Sequence, residues 1–293
     1  MLVFLMKSGA DPTVAGGSYG TLLGAAALRA PVDTLGFVLA KGPGDGGAGL
    51  PITLTDRERR NAAHMAVAGL DNGDAQDTIE KLDLLTGHDG GAALLGALDH
   101  VGRRPLHLAA ASGRTAVVLY LLERGEDAHI NDADADGWTP LHWACRQWDA
   151  EVVRFLVGRG ADRSLRTNQG WLPWHVAIYH ENENLEDALK AHGTPAEPGK
   201  PTTPAVNSGY WCSSCFVDIF GERWNCDQCT NFDHCFKCHG TAAKIHETDH
   251  TFTCHAPLKA ETVSMRLDSD GGSAKEDESE AEKEESDAGR AED

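Results

Sequence analysis

With 293 residues and 41% apolar side chains the chain can bury at least one substantial core, while its formal net charge of −19 repels nucleic-acid phosphates and anionic membrane surfaces. No apolar run reaches the length that spans a bilayer, and the opening "MLVFLMKSGADP" has neither a basic flank nor a small-residue cleavage site, so no signal peptide is read. The expected setting is intracellular, in cytoplasm or nucleus, where eight cysteines point to metal before they point to disulfides.

Taken in chain order, the first two thirds are copies of one unit. "VFLMKSGAD" (3–11) places Leu5 and Gly9 where "RFLVGRGAD" (154–162) has Leu156 and Gly160. The chain thus opens inside the second helix of a unit whose first helix is absent, as in the C-terminal part of a longer protein or an imperfect cap. "YGTLLGAAALRA" (19–30) and "RNAAHMAVAG" (60–69) are weaker copies, with Gly24 where the later copies have a histidine and His64 in register with it. From His64 to His107 the period lengthens to 43, and the stretch containing "LDNGDAQDT" predicts a long loop around 70–98.

Two clean copies follow. "GRRPLHLAAASGRTAVVLYLLERGEDAHI" (102–130) lies over "GWTPLHWACRQWDAEVVRFLVGRGADRSL" (137–165) at a constant offset of 35, and "GWLPWHVAIYH" (170–180) begins a third. Within one unit Thr139 can cap a helix whose first residue is Pro140, a position where the missing N–H costs nothing. Leu141, Ala144 and Cys145 recur at helical spacing, and Val152, Val153, Leu156 and Val157 form a second apolar stripe ended by Gly160 in a left-handed conformation. Each unit carries apolar faces that only a stacked neighbour can bury.

These copies resemble the ankyrin repeat family, whose G-x-T-P-L-H-x-A-A and V-V-x-x-L-L-x-x-G-A-D patterns are matched by "GWTPLHWAC" and "EVVRFLVGRGAD". The resemblance implies a mainly α, helix-turn-helix solenoid over residues 1–191, about five units with the first truncated, that binds other proteins. His107, His142 and His175 fall once per unit and suit helix-start hydrogen bonding rather than metal or catalysis. Cys145 suits a small core position. Trp138, Trp143, Trp148, Trp171 and Trp174 are packing residues or binding anchors. Asp132, Asp134 and Asp136 in "NDADADGW" make either a solvated turn or a surface for a basic partner.

"HGTPAEPGKPTTPAVNSG" (192–209) holds four prolines and no apolar period, which predicts an extended tether. Residues 210–256 are too short and too polar to fold without a metal or crosslinks. Three C-x-x-C pairs, Cys212 with Cys215, Cys226 with Cys229 and Cys235 with Cys238, precede His246 and His250. Eight ligands make two closed tetrahedral sites for two structural zinc ions, with about 10–16 kcal/mol of apparent binding energy each to drive folding. His234, His239, Cys254 and His255 are further donors nearby.

"IFGERWNCDQCTNFDHCFKC" resembles the ZZ-type zinc finger pattern I-x-G-x-R-[YW]-x-C-x-x-C-x-x-[FY]-D-x-C-x-x-C. That resemblance implies a cross-brace, with Cys212, Cys215, Cys235 and Cys238 on one ion and Cys226, Cys229, His246 and His250 on the other. It also implies peptide binding, since several members read a free N-terminus through acids. At the matching positions stand Ser213, Asn231 and Asp233, with Asp218 and Asp227 as further acids that could meet an ammonium group. Residues 257–293 form an acidic tail; 12 acids and 4 bases fall in 266–293 alone, which predicts disorder. Ser273 and Ser279 there each have a glutamate three residues on, a pattern for acidophilic kinases.

The sequence contains no phosphate-binding glycine loop, no nucleophile with a positioned base and no open metal site. The expectation is a non-enzymatic adaptor, its partners proteins or peptides, basic or with a free N-terminus, and neither nucleic acid nor membrane. The alternative is a fragment or accessory of a ubiquitin ligase, since the mind bomb ligases also join ankyrin repeats to a ZZ finger, or part of a longer ankyrin-bearing signalling receptor.

Overall fold

A computed structural model describes residues 13, 20–40, 50–69, 75–146, 150–180, 182–189, 206–216, 218–220, 222–229, 232–242, 246 and 249–256. The truncated first unit, Trp148, Asn231, the Pro-rich stretch up to 205 and the acidic tail lie outside them. Among the described residues no helix is long and apolar enough to cross a membrane.

Among the described residues, five successive helix pairs build the N-terminal region. The first helices are α1 (Leu22–Arg29), α3 (Ala62–Val67), α5 (Pro105–Ala111), α7 (Pro140–Ala144) and α9 (Pro173–Tyr179). Their partners are α2 (Val32–Ala40), α4 (Ala75–Thr86), α6 (Thr115–Glu123), α8 (Ala150–Gly158) and, after a 3-10 turn at Glu183–Leu185, the short α10 (Glu186–Leu189). Alanine lines the first helices: Ala62, Ala63, Ala109, Ala110 and Ala144 are wholly buried, so successive helices approach closely. The second helices contribute the branched side chains, with Leu35, Val117, Val118, Val152, Val153 and Leu156 also fully buried. Gly160 ends α8 with φ 97°, the left-handed conformation that glycine adopts without steric cost.

The repeat histidines tie neighbouring units together. His142 Nδ1 accepts the Thr139 N–H at 3.2 Å, and its Nε2–H reaches the Trp171 carbonyl of the next unit at 3.2 Å. His64 does the same between Asn61 N–H (3.3 Å) and the Arg103 carbonyl (3.0 Å), and His107 between Arg104 N–H (3.0 Å) and the Asp132 carbonyl (3.1 Å). Thr139 Oγ1 also lies 2.9 Å from His142 Nδ1, so the threonine that the sequence suggested and the repeat histidine close the helix start together as a capping box. Burial, foremost among the causes, lowers the pKa of His64, His107 and His142 to about 4 and keeps them neutral.

The turns before the first helices also repeat. Asp56, Asp99, Asp134 and Thr167 each donate a backbone N–H to the carbonyl four residues on, at 3.0, 2.9, 2.9 and 2.8 Å. One backbone bond joins each turn to the next: His100 N–H to Glu58, Ala135 N–H to Val101 and Asn168 N–H to Asp136. The long period between His64 and His107 is not taken up by a loop alone. Thr78, Leu82 and Leu85 recur at helical spacing, so α4 extends to 12 residues before a 3-10 turn at Gly91–Leu94.

The C-terminal region is small and mostly strand. β1 (Val206–Trp211) pairs antiparallel with β2 (Asp218–Phe220), and β3 (Arg223–Cys226) lies between β4 (Asp233–Cys235) and β5 (Phe252–His255), both antiparallel to it. α11 (Phe236–Ala242) follows β4 directly. Cys212, Cys215, Ile219, Cys235 and Cys238 belong to the same buried cluster as the repeat core, so one interior runs through both regions.

Candidate metal centres

The turn after β1 and the β4–α11 junction bring Cys212, Cys215, Cys235 and Cys238 together, all buried, with their sulfurs within 4.8 Å of one another. Cys215 and Cys235 Sγ are 4.0 Å apart. Tetrahedral zinc with four sulfurs requires about 3.8 Å between them, so the cage needs only slight contraction. Hydrogen bonds from the other three thiols, joined by the charge of Arg146, hold Cys235 well below its ordinary pKa, whereas burial pushes Cys212 up.

A second cage forms where the β3 end meets the segment before β5. Cys226, Cys229, His246 and His250 offer four donors within 4.8 Å. Cys226 Sγ lies 3.4 Å from His250 Nδ1, Cys229 Sγ lies 3.4 Å from His246 Nε2 and 3.3 Å from His250 Nδ1, and the two nitrogens are 3.2 Å apart. These separations match a tetrahedral S₂N₂ shell, with roughly 3.5 Å between sulfur and nitrogen. Each cluster could therefore hold one zinc ion, and in each all four positions would be filled by protein. The four remaining nearby donors stand apart. His234 meets Ser214 Oγ at 3.2 Å, His239 stacks on Trp224 with centroids 4.0 Å apart, and Cys254 and His255 lie on β5 outside both cages.

The three acids singled out for peptide binding occupy different places. Asp233 is buried and its Oδ1 accepts from Arg223 Nη1 (2.7 Å) and Asn225 Nδ2 (3.1 Å), a purely internal use. Asp227 is exposed and takes the hydroxyls of Thr251 and Thr253 at 2.7 Å each. Asp218 sits on β2 opposite Trp211.

The four-cysteine cage rests on the repeats. Arg60 donates from Nη1 to the carbonyls of Ser213 and Ser214 at 3.1 Å each, and Arg103 from Nη2 to the Ser214 carbonyl at 3.1 Å. Those carbonyls form the middle of the Cys212–Cys215 knuckle. Arg146 points Nη1 at Cys215 Sγ, 3.5 Å away, and Arg103 Nη1 lies 3.9 Å from Cys238 Sγ. From the finger, Lys237 reaches back to Asp134 (3.2 Å) and Asp136, while Phe236 packs on Trp171 and Tyr179. The finger thus touches the turns or first helices of four successive units.

A periodic rule explains these contacts. At the first two turns an aspartate pairs with an arginine four residues on, Asp56 with Arg60 (2.7 Å) and Asp99 with Arg103 (2.6 Å). At the third, Asp134 has Trp138 in the arginine's place, and Lys237 of the finger supplies the missing cation. Asp134 and Asp136 therefore face a basic group of their own chain rather than forming only a solvated turn, and Asp132 pairs with Arg104 (3.1 Å). Trp143, fully buried, hydrogen-bonds Asp134 and has Arg103, Arg146 and Lys237 around its ring at 5.4, 5.2 and 5.5 Å. Arg60, Arg103, Arg146 and Lys237 were not singled out from the sequence. The signal for two of them was the recurrence of Asp-x-x-x-Arg before the repeat histidine.

Cys145 is wholly buried and burial drives its thiol pKa up, which fits a core residue. Residues 106–197 match the family model described as ankyrin repeats (3 copies). A comparison with curated proteins gives no match. Residues 106–197 are thus ankyrin repeats, preceded by further helix pairs and joined to a C-terminal region with two candidate zinc-binding clusters.

Proposed function

We propose that the chain is a non-enzymatic protein-interaction scaffold, in which a ZZ-type zinc finger with two structural zinc ions is seated on an ankyrin solenoid. The observation that carries this reading is the seating itself: Arg60 and Arg103 of the repeats grip the first zinc knuckle, and Lys237 of the finger completes the third repeat turn. In this reading the repeats and the finger present partners with one joined surface. Closed four-ligand cages leave no coordination position for substrate, which supports a structural role for the metal.

The repeats are the favoured partner-binding part. Asp233 of the finger is committed to Arg223 and Asn225, which weighs against an open pocket for an ammonium group. The test is an array of peptides with free and acetylated N-termini, probed with the zinc-loaded full chain. Binding indifferent to acetylation assigns recognition to the repeats; binding that needs the free terminus assigns it to the finger and overturns this division of labour. A conjugation assay showing zinc-dependent ubiquitin transfer would overturn the non-enzymatic reading.

A further inference from the structure

We infer that Arg146 is the counter-cation of a metal held in the four-cysteine site, and that loading this site is what fastens the finger to the repeats. The inference rests on the metal reading above and goes beyond it by assigning a residue of the repeats to the metal's charge.

Four buried basic side chains converge on the junction. Three are matched by carboxylates: Arg60 by Asp56, Arg103 by Asp99 and Lys237 by Asp134. Arg146 is different. It is 1% exposed, meets no carboxylate among the described residues, and its Nε and Nη2 have no hydrogen-bond partner. Among the described residues its one directed contact is Nη1 to Cys215 Sγ at 3.5 Å, and its guanidinium lies beside the Trp143 ring. Burying an unpaired guanidinium is strongly unfavourable, so this position requires an anion.

The four-cysteine cage is that anion when loaded. A divalent ion in four thiolates leaves a net charge of −2, fixed against Arg146 and, at 3.9 Å from Cys238, Arg103. The same four sulfurs without the ion no longer form a fixed dianion. Metal binding at this site and seating of the finger are therefore linked, and each must strengthen the other. The second cage is braced by finger residues such as Gln228 and Thr251, and the repeat cation it feels, Arg57, acts on Cys229 and His246 through charge, with no buried, directed contact to a sulfur like that of Arg146 among the described residues.

The test uses the full chain loaded with cobalt(II), because S₄ and S₂N₂ sites give separate ligand-field bands and can be followed independently. A competing chelator is titrated into wild-type chain and into Arg146→Gln, with Arg146→Lys as the charge-conserving control. Hydrogen exchange is read over Arg103–Ala111 and Thr139–Ala144. The expected result is that Arg146→Gln gives up cobalt from the S₄ site at a chelator concentration about tenfold lower, the size of effect usual for outer-shell partners, with the S₂N₂ band unchanged. Arg146→Lys should recover part of the loss. In the wild-type chain, emptying the S₄ site should raise exchange in both segments about tenfold. Equal S₄ affinity in wild type and Arg146→Gln, or repeat exchange indifferent to that site, overturns the inference. If Arg146→Gln does not fold, the wild-type exchange measurement decides alone. A chain that takes no cobalt at the S₄ site overturns the metal reading and this inference together; one that takes both ions without the coupled response overturns the inference only.

Discussion

The two candidate metal sites use nearly the same motif chemistry in opposite surroundings. The four-cysteine site is buried on all sides, and the groups around it come from the repeats: Arg60 and Arg103 on its knuckle carbonyls, Arg146 on its sulfur, Trp143 behind them. The Cys226, Cys229, His246, His250 site is half-exposed and supported by the finger itself, with Phe232 stacked on His246 at 4.2 Å and Gln228 and Asp227 bonded to Thr251. One site is part of the solenoid's interior, while the other is braced mainly by its own loops, with Arg57 and Glu58 of the repeats acting on it through charge. The largest expected effect breaks this contrast directly. Cys235→Ser should release the finger and destabilise the repeats, because it forfeits metal binding energy on the order of 10 kcal/mol that the shared interior uses. Cys229→Ser should unravel the second loop and leave the repeats' unfolding midpoint in place. Urea unfolding followed by near-ultraviolet circular dichroism of the buried Trp138 and Trp143 checks both.

A smaller change asks whether the seating depends on charge as well as metal. Lys237→Met removes the cation that Asp134 receives in place of an arginine of its own repeat. Breaking a buried pair by deleting one partner costs roughly 3–5 kcal/mol, mostly because the other charge is left behind. Asp134 keeps the N–H groups of Asp136, Trp138 and Trp143 Nε1, so the loss should fall at the lower end of that range. Metal affinity at the mixed Cys/His site should not move. A loss of metal at both sites would mean that the finger, not its seating, had been damaged.

The division between what was legible in the sequence and what was not follows the same line. Helix pairs, the structural histidines and the inward cysteine at position 145 could be read from the repeat because each obeys a local rule of spacing or capping. The eight clustered donors could be read too, since C-x-x-C turns present two sulfurs to one ion whatever surrounds them. The seating could not be read in the same way. Arg60 and Ser213 are separated by 153 residues, and a buried arginine in a repeat turn looks like any solvated one until its acceptor is known. Lys237 within "CFKC" gave no hint that its partner was an aspartate 103 residues earlier. The expected loop around 70–98 was misjudged because a long period says only that residues are added, while the apolar spacing that makes them helical lay inside the insertion.

Acid should separate the repeats' own stability from that of the junction. His64, His107 and His142 have pKa values near 4 in the folded chain against 6.5 ordinarily, with burial the leading cause. As pH falls the unfolded chain takes up these protons first. The contribution is thus full above about pH 6.5 and is lost progressively down to about pH 4, at roughly 3 kcal/mol per histidine. His107→Gln should flatten the fall in stability across that window relative to wild type, measured as urea midpoint against pH. An unchanged slope would show that the imidazole takes up its proton in the folded state and that its bridging bonds do not require neutrality.

The smallest effect belongs to the exposed site and sharpens the contrast from the other side. Asp227 stands next to the ligand Cys226, donates its N–H to the Thr251 carbonyl and holds both threonine hydroxyls at 2.7 Å. It therefore ties β5 to the loop that carries two ligands of the mixed cage. These hydroxyl bonds lower its pKa. Asp227→Ala leaves both ligand sets intact and removes only this tie. Metal at the Cys/His site should be released a few-fold faster, below the roughly tenfold low end of outer-shell effects because water can replace the lost bonds. Release from the four-cysteine site should be unaltered, since none of its supports passes through the loop. If both sites responded equally, the finger would be a single cooperative unit, and the repeats' hold on one of its two metals would extend to the other.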